Sequence, residues 1–410
     1  MNIPSRSTFL IIGGGIIGSA IAHFLALAGR AESVTVLEPD ATYHRSSTGR
    51  SASAIRQQYN LGLNVEMSRF GYSFYRNADQ HLKVHGESVD IGFVERPYLV
   101  LAAPAGVARL REAHARQIQA GADIAFLEPE VLAERVPWLK VDGIGAACLG
   151  QGGEGWFEPL TALSALRRKT ESLGVTYLPA RVVGIDVHDA RVTGVHLEGG
   201  TQLEPDIVVN AAGPWAAEVS RLAGVHVPVE SRKRTVFVFR APHPPADFAC
   251  LIDPTFASRG VFARSFGTSN EGLFMAVTSP DPRDDPHTHD FTVDEALFGE
   301  VIQPALARRV RGFEHLERVK AWAGHYEMNT FDQNAVIGFH PELKNFLLAC
   351  GLSGHGVMHA PAIGRGIAEL LTEGRYTSLD LSPFDYDRVR RGVPLDDVQS
   401  SEHRRIEAGV

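Results

Sequence analysis

FLIIGGGIIGSAIAHFLALAG, residues 9–29, runs for twenty-one residues with one titratable side chain, His23. Its length suits a membrane span or a secretion signal, but Gly13, Gly14, Gly15 and Gly18 interrupt it where either would need an unbroken apolar stretch. A strand–turn–helix reading accounts for the same residues: a buried strand over 8–12, a turn over 13–18, a helix over 16–28 and a second strand over 33–38. Gly13-x-Gly15-x-x-Gly18 then stands where a strand hands over to a helix. Gly13 makes the tight turn, Gly15 lets backbone approach a pyrophosphate, and Gly18 lets helix and strand pack closely. Glu38 ends the second strand, where a carboxylate accepts hydrogen bonds from ribose hydroxyls and repels a phosphorylated ribose. The unit is expected to bind a dinucleotide; the alternative is a glycine-rich turn that binds nothing.

Composition narrows the rest. The chain has 410 residues with 44% hydrophobic and 21% charged side chains, enough for two or three domains with a substantial core. Forty basic and 48 acidic residues give a formal charge of −8 with no basic block, so nucleic acid is not an expected partner. Cys148, Cys250 and Cys350 are too widely spaced for a disulfide framework or a zinc knuckle, which favours a reducing, cytoplasmic setting. No later run reaches the roughly 18 apolar residues of a span, and no convincing signal flanks the first; a soluble protein is expected.

Three further stretches carry turns of the nucleotide-binding type. YHRSSTGRSASAIRQQYN (43–60) is dense in hydroxyls, with Arg50 and Arg56. EPDIVVNAAGPWAAEVSRLAG (204–224) runs a buried strand into Ala211-Ala212-Gly213 and a helix. ACGLSGHGVMHAPAIGRGIAELL (349–371) takes a strand through a glycine-rich loop into another helix. With the first unit and AWAGHYEM (321–328), these segments resemble the D-amino-acid oxidase and sarcosine oxidase family of FAD-dependent oxidoreductases, in that family's order, over residues 8–375.

The resemblance implies an α/β fold in which a Rossmann-like FAD-binding domain of the glutathione-reductase type (1–85, 150–225, 320–378) interleaves with a mixed, mostly antiparallel β-sheet substrate domain (86–149, 226–319). It places the cofactor on Gly13, Gly15, Ile16, Ile17, Gly18, Glu38, Pro39, Ser47, Thr48, Gly49, Arg50, Ser51, Val182, Ala211, Ala212, Gly213, Trp215 and Gly324. Gly351, Gly354, His355, Gly356, Val357 and Met358 complete that set. The implied reaction moves hydride from a C–H beside an amine nitrogen to flavin N5, and water hydrolyses the imine. A helix expected to begin near His359 would aim its positive end at the flavin C2 carbonyl.

Departures from the family's pattern refine this. Gly324 falls where covalent-flavin members carry a cysteine, so FAD is expected to be non-covalent unless a histidine elsewhere bonds to it. Met358 replaces a sarcosine-oxidase lysine, and Tyr326 an arginine that clamps the substrate carboxylate in D-amino-acid oxidases. Arg234, Arg56 and then Arg264 are the remaining cations for a carboxylate. His355 is either a packed loop histidine or a redox participant. Phe274 is matched to a lysine beside flavin N5, which favours electron transfer to a quinone, dye or partner protein over oxygen. A 2-hydroxy-acid or glycerol-phosphate dehydrogenase, the flavin subunit of a multi-subunit oxidase, and a non-catalytic binding protein are the competing readings.

Outside these segments, residues 91–103, 229–240 and 260–278 read as strands. SPDPRDDPHTHDF (279–291) reads as a solvated loop without metal, and 379–410 as a peripheral, mobile extension.

Overall fold

The computed structural model describes residues 5–256, 260–267, 272–278, 281 and 283–395. Its first sheet is built around parallel strands in the order Phe346–Cys350, Gln202–Asn210, Arg6–Ile12, Val34–Leu37 and Thr176–Leu178. These strands are buried on both faces, which explains why FLII and IVVN lack any alternation of polar and apolar residues. An antiparallel hairpin, Val182–His188 and Arg191–Leu197, extends one edge, and Val336–Phe339 pairs antiparallel with Phe346–Cys350. Helices Ile16–Leu25 and Gly356–Glu373 pack against each other beside this sheet, and Gly364 has no room for a Cβ beside Ala20.

The second sheet has eight strands, ordered Glu317–Asn329, Val229–Arg240, Leu273–Thr278, Val261–Ser265, Cys250–Asp253, Tyr98–Ala102, Ala146–Gly150 and Ile124–Leu127. Only the pairing of Cys250–Asp253 with Tyr98–Ala102 is parallel; the others are antiparallel. The expected α/β class with a mixed, mostly antiparallel second sheet is therefore observed. A core of Phe237, Phe239, Phe248, Phe274, Phe298 and Phe313 lies on one face of this sheet.

Sheet membership departs from the expected divisions at one place. Strand Glu317–Asn329 pairs along its length with Val229–Arg240, so residues 320–329 belong to the second sheet although their sequence carries a nucleotide-site segment. One expectation about a polar segment gives way and another is qualified. Beyond residue 379, Leu381 and Phe384 are fully buried, and Arg388, 2% exposed, donates to both oxygens of buried Asp332 (2.8 and 3.1 Å) and to the carbonyls of Phe384 and Ala335. The extension is thus anchored up to Leu395, whose N–H also reaches Asp332; residues 396–410 lie outside the described residues.

The stretch after Arg283 is exposed at most positions, as a solvated loop would be, but three of its side chains are tied to the protein. Asp285, His287 and His289 turn towards the protein at alternate positions, where they meet Arg234, the Ser231 N–H and Glu218. Finally, the long C-terminal helix starts at Gly356, three residues before the expected start at His359.

Candidate active site

A cavity of about 470 Å³ runs past the C-terminal ends of the parallel strands, lined by the turns that follow Ile12, Leu37 and Asn210. At Gly13 the backbone has φ +102°, and a Cβ would collide with the Ala211 carbonyl oxygen. A Cβ on Gly18 would run into the Gly13 carbonyl oxygen. These two glycines are steric necessities of the turn. Gly15 differs: its nearest neighbour is Thr48 Oγ1 at 3.6 Å, so the space beside it belongs to the cavity. Thr48 Oγ1 also accepts the Ile16 N–H (3.2 Å), which ties the hydroxyl-rich loop to the first turn of the helix.

Glu38 is pre-oriented. Its carboxylate accepts the N–H groups of Gly14 and Asp40, each at 2.9 Å. Burial raises its pKa and these two N–H groups oppose the rise. Asn210 fixes the second turn: its amide donates to the Ala216 carbonyl (2.8 Å) and its Oδ1 accepts the Ala212 N–H (3.2 Å). Arg45, Arg50, Arg181 and Arg221 line the same stretch. An acidic ribose acceptor, backbone space at Gly15 and flanking guanidinium groups together fit a dinucleotide diphosphate such as that of FAD.

The other end is apolar, with Val236 and Val277 in the wall, and Gly324 beside it. A Cβ on Gly324 would lie 2.8 Å from Arg50 Cβ. Tyr326 packs on Gly354 (φ +92°), and the N-terminus of the helix starting at Gly356 opens here with Val357. Arg234 lies 5.1 Å from the centre of the Tyr326 ring and donates to both oxygens of Asp285 (2.9 and 3.0 Å). The expected carboxylate clamp therefore already holds an internal carboxylate.

Of the expected cofactor residues, Gly13, Gly15, Ile16, Ile17, Glu38, Pro39, Ser47, Thr48, Arg50, Ser51, Val182, Ala211, Ala212, Gly213, Trp215, Gly324, Gly354, Gly356 and Val357 line the cavity, as do Arg234 and Tyr326. Others lie behind the wall. Gly18 serves backbone packing, Gly351 faces the Asn329 and Val229 side chains, and Gly49 sits against Leu160 and the Tyr43 carbonyl. Met358 is buried and accepts the Tyr59 hydroxyl. His355 Nε2 lies 3.0 Å from the Arg56 guanidinium, which can only donate; burial and then this charge hold the His355 pKa well below its usual value, so the imidazole is neutral. Arg264 is buried elsewhere, donating to the Ala52 and Ser265 carbonyls over the Trp156 ring.

Phe274 needs correction. It is 3% exposed, stacked among Phe239, Phe248 and Phe313, and the residue of its strand that reaches the cavity is Val277. Among the residues that sequence reasoning missed are Arg45, Arg181, Arg221, Glu218, His325 and Glu327 in the wall, and Asp285 behind Arg234. His325 and Glu327 flank Tyr326 in AWAGHYEM, and these two ionisable groups, set directly beside a residue already picked out, were the available signal. Among the described residues, Glu218, His287 and His289 bring donor atoms within 4.8 Å of one another. The Ser231 N–H donates to His287 Nδ1, which puts that ring's hydrogen on Nε2 and leaves it no lone pair for a cation.

Comparison with known proteins identifies the family. FAD-dependent oxidoreductase domain-containing protein 1 of Bos taurus is 36% identical over 423 residues, covering 95% of this chain and 86% of that protein. Glycine oxidase of Geobacillus kaustophilus is 26% identical over 387 residues, covering 93% and 97%. The crystal structure of L-proline dehydrogenase from P. horikoshii superposes with a TM-score of 0.82 at 27% identity, covering 96% of this chain and 100% of that one. Among the described residues no helix is long and apolar enough to cross a membrane. The family model of the FAD dependent oxidoreductases, DAO, matches residues 8–370, and the chain belongs to that family: it is an FAD-dependent oxidoreductase.

Proposed function

We propose that the protein oxidises the C–N bond of an amino acid or secondary amine on non-covalently bound FAD. The observation that carries this reading is the buried Arg234 guanidinium, held over Tyr326 in the apolar end of the cavity beside the helix N-terminus at Gly356. When bound, FAD supplies the hydride acceptor. Around it the chain supplies position and charge. Arg234 offers a two-pronged anchor to a substrate carboxylate, which would take the place of Asp285. Val236 and Val277 keep water from the apolar end.

Amine oxidation needs a nitrogen lone pair and no protein base on an alcohol oxygen. His355 fits that: its Nε2 is taken by Arg56, and it stays neutral. The names of relatives support an amine or amino-acid substrate, including the peroxisomal sarcosine oxidase of Mus musculus at 24% identity over 399 residues. A small-molecule substrate and a separate electron acceptor complete the scheme. Gly324 offers no sulfur to the flavin, so acid precipitation should release all the yellow colour. The test is anaerobic stopped-flow bleaching of the flavin with D- and L-amino acids, N-methyl amino acids, the corresponding decarboxylated amines, 2-hydroxy acids and glycerol phosphate. Bleaching by a carboxylated amine at least tenfold faster than by its decarboxylated analogue is the expected result, about 1.4 kcal/mol of discrimination. Bleaching by hydroxy acids or glycerol phosphate alone would overturn it.

A further inference from the structure

Glu327 is a buried acid, 8% exposed, on the free edge of strand Glu317–Asn329. The glycine-rich loop docks on that edge through three contacts. The Gly351 N–H donates to Glu327 Oε2 (3.0 Å), the Ser353 N–H to the Glu327 carbonyl (3.0 Å), and Ser353 Oγ accepts the Asn329 N–H (3.0 Å). Glu327 Oε1 points at the start of the long helix, 3.7 Å from where a Gly356 Cβ would stand. Glu327, Gly354, Gly356 and Val357 all line the cavity.

We propose that Glu327 is a positioning residue that shapes the flavin-facing loop and sets, through its own charge state, how strongly the helix N-terminus favours reduced flavin. This rests on the flavin ring occupying the Gly354–Val357 end of the cavity. Neutral Glu327 leaves the positive end of an 18-residue helix available to negative charge on the reduced ring; ionised Glu327 cancels part of it.

The surroundings make that charge state responsive near neutrality. Among the described residues no basic side chain pairs with Glu327. Its titratable and polar neighbours are Cys350 at the end of strand Phe346–Cys350 of the first sheet, the Ser231 hydroxyl opposite it in register, Tyr326 on its own strand and His355 at the helix start, which is neutral. Burial dominates and the N–H groups of Gly351 and Leu352 oppose it; the Glu327 pKa is pushed up to about 8. Reduction of the flavin then draws a proton to Glu327, and the reciprocal effect is a potential that falls as Glu327 ionises.

The experiment is the midpoint potential of the FAD-bound protein from pH 6.5 to 9.5, by dithionite or dye-coupled reduction, for wild type and Glu327→Gln. Glutamine keeps an acceptor for the Gly351 N–H and removes the charge. The wild-type minus variant difference should be flat below pH 7 and turn negative through pH 8. At high pH it should reach about a tenfold change in the reduced-to-oxidised ratio, about 30 mV for a two-electron couple. A difference that does not vary with pH overturns the proposal. If the variant holds no FAD, the wild-type curve decides: no inflection between pH 7 and 9 overturns it, and an inflection near 8 supports it. No substrate is used, so a wrong amine assignment leaves this result untouched.

Discussion

Replacing Arg388 with Met tests whether the C-terminal segment belongs to the structure or merely trails from it. Methionine keeps the apolar stem and removes a guanidinium that donates to both Asp332 oxygens and to the carbonyls of Phe384, Asp385, Asn334 and Ala335. Asp332 is 1% exposed and would keep three donors, the Asn329 amide and the N–H groups of Asn334 and Leu395. Removing one partner of a buried pair costs about 3–5 kcal/mol; the remaining donors pull the value down, while the stranded carbonyls push it up. We expect Arg388→Met to destabilise the FAD-bound protein by about 3–5 kcal/mol. Asp332→Asn should also destabilise, and the double variant should lose less than the sum of the singles by at least about 1 kcal/mol, because the two groups share one interaction. Urea unfolding followed by tryptophan and flavin fluorescence reads all four proteins. An Arg388→Met variant within about 0.5 kcal/mol of wild type, the behaviour of a surface residue, would refute the reasoning.

Gly15→Val should fold with wild-type circular dichroism yet purify colourless, because its Cβ points into open cavity rather than into backbone; a fully yellow, stoichiometrically loaded variant would contradict the assigned phosphate path. Substrate-reduced enzyme should be reoxidised by oxygen at least tenfold more slowly than by a quinone or dye, a barrier difference of about 1.4 kcal/mol, since no lysine is among the described residues lining the cavity and the Arg234 charge there is paired with Asp285. Reoxidation in aerated buffer as fast as turnover, with equimolar hydrogen peroxide, would show an oxidase.

The nucleotide end of the site was legible because its information is local. Gly13 is forced by its positive φ, Gly18 by collision with the Gly13 carbonyl and Glu38 by its place after a strand; all three constraints leave a mark within thirty residues. The substrate end was legible only in part. Arg234 could be picked out, but its partner Asp285 lies 51 residues on, in a stretch whose prolines and acids look like solvent-facing loop. Composition does not tell that residues 285, 287 and 289 face the protein. Phe274 and Val277 differ by an odd number of positions on one strand, so an alignment slip there exchanges core for cavity. The tail misled for a similar reason: among so many charges, Arg388 is buried together with Leu381 and Phe384, and only the position of Asp332 reveals why.

The interleaving of the two sheets has a consequence for biogenesis. Strand Gln202–Asn210 sits between Arg6–Ile12, made about 200 residues before it, and Phe346–Cys350, made about 140 residues after it, while most of the second sheet is translated in between. No cut of the chain separates one complete sheet from the other, and a ribosome that has released residue 300 carries two unfinished ones. Each then exposes a long, apolar strand edge awaiting a distant partner, the condition under which nascent chains mispair and aggregate. Production of this protein should accordingly depend on chaperone supply and slow synthesis more than a chain of sequentially folded domains would, and truncation at either end should yield insoluble material instead of a working half.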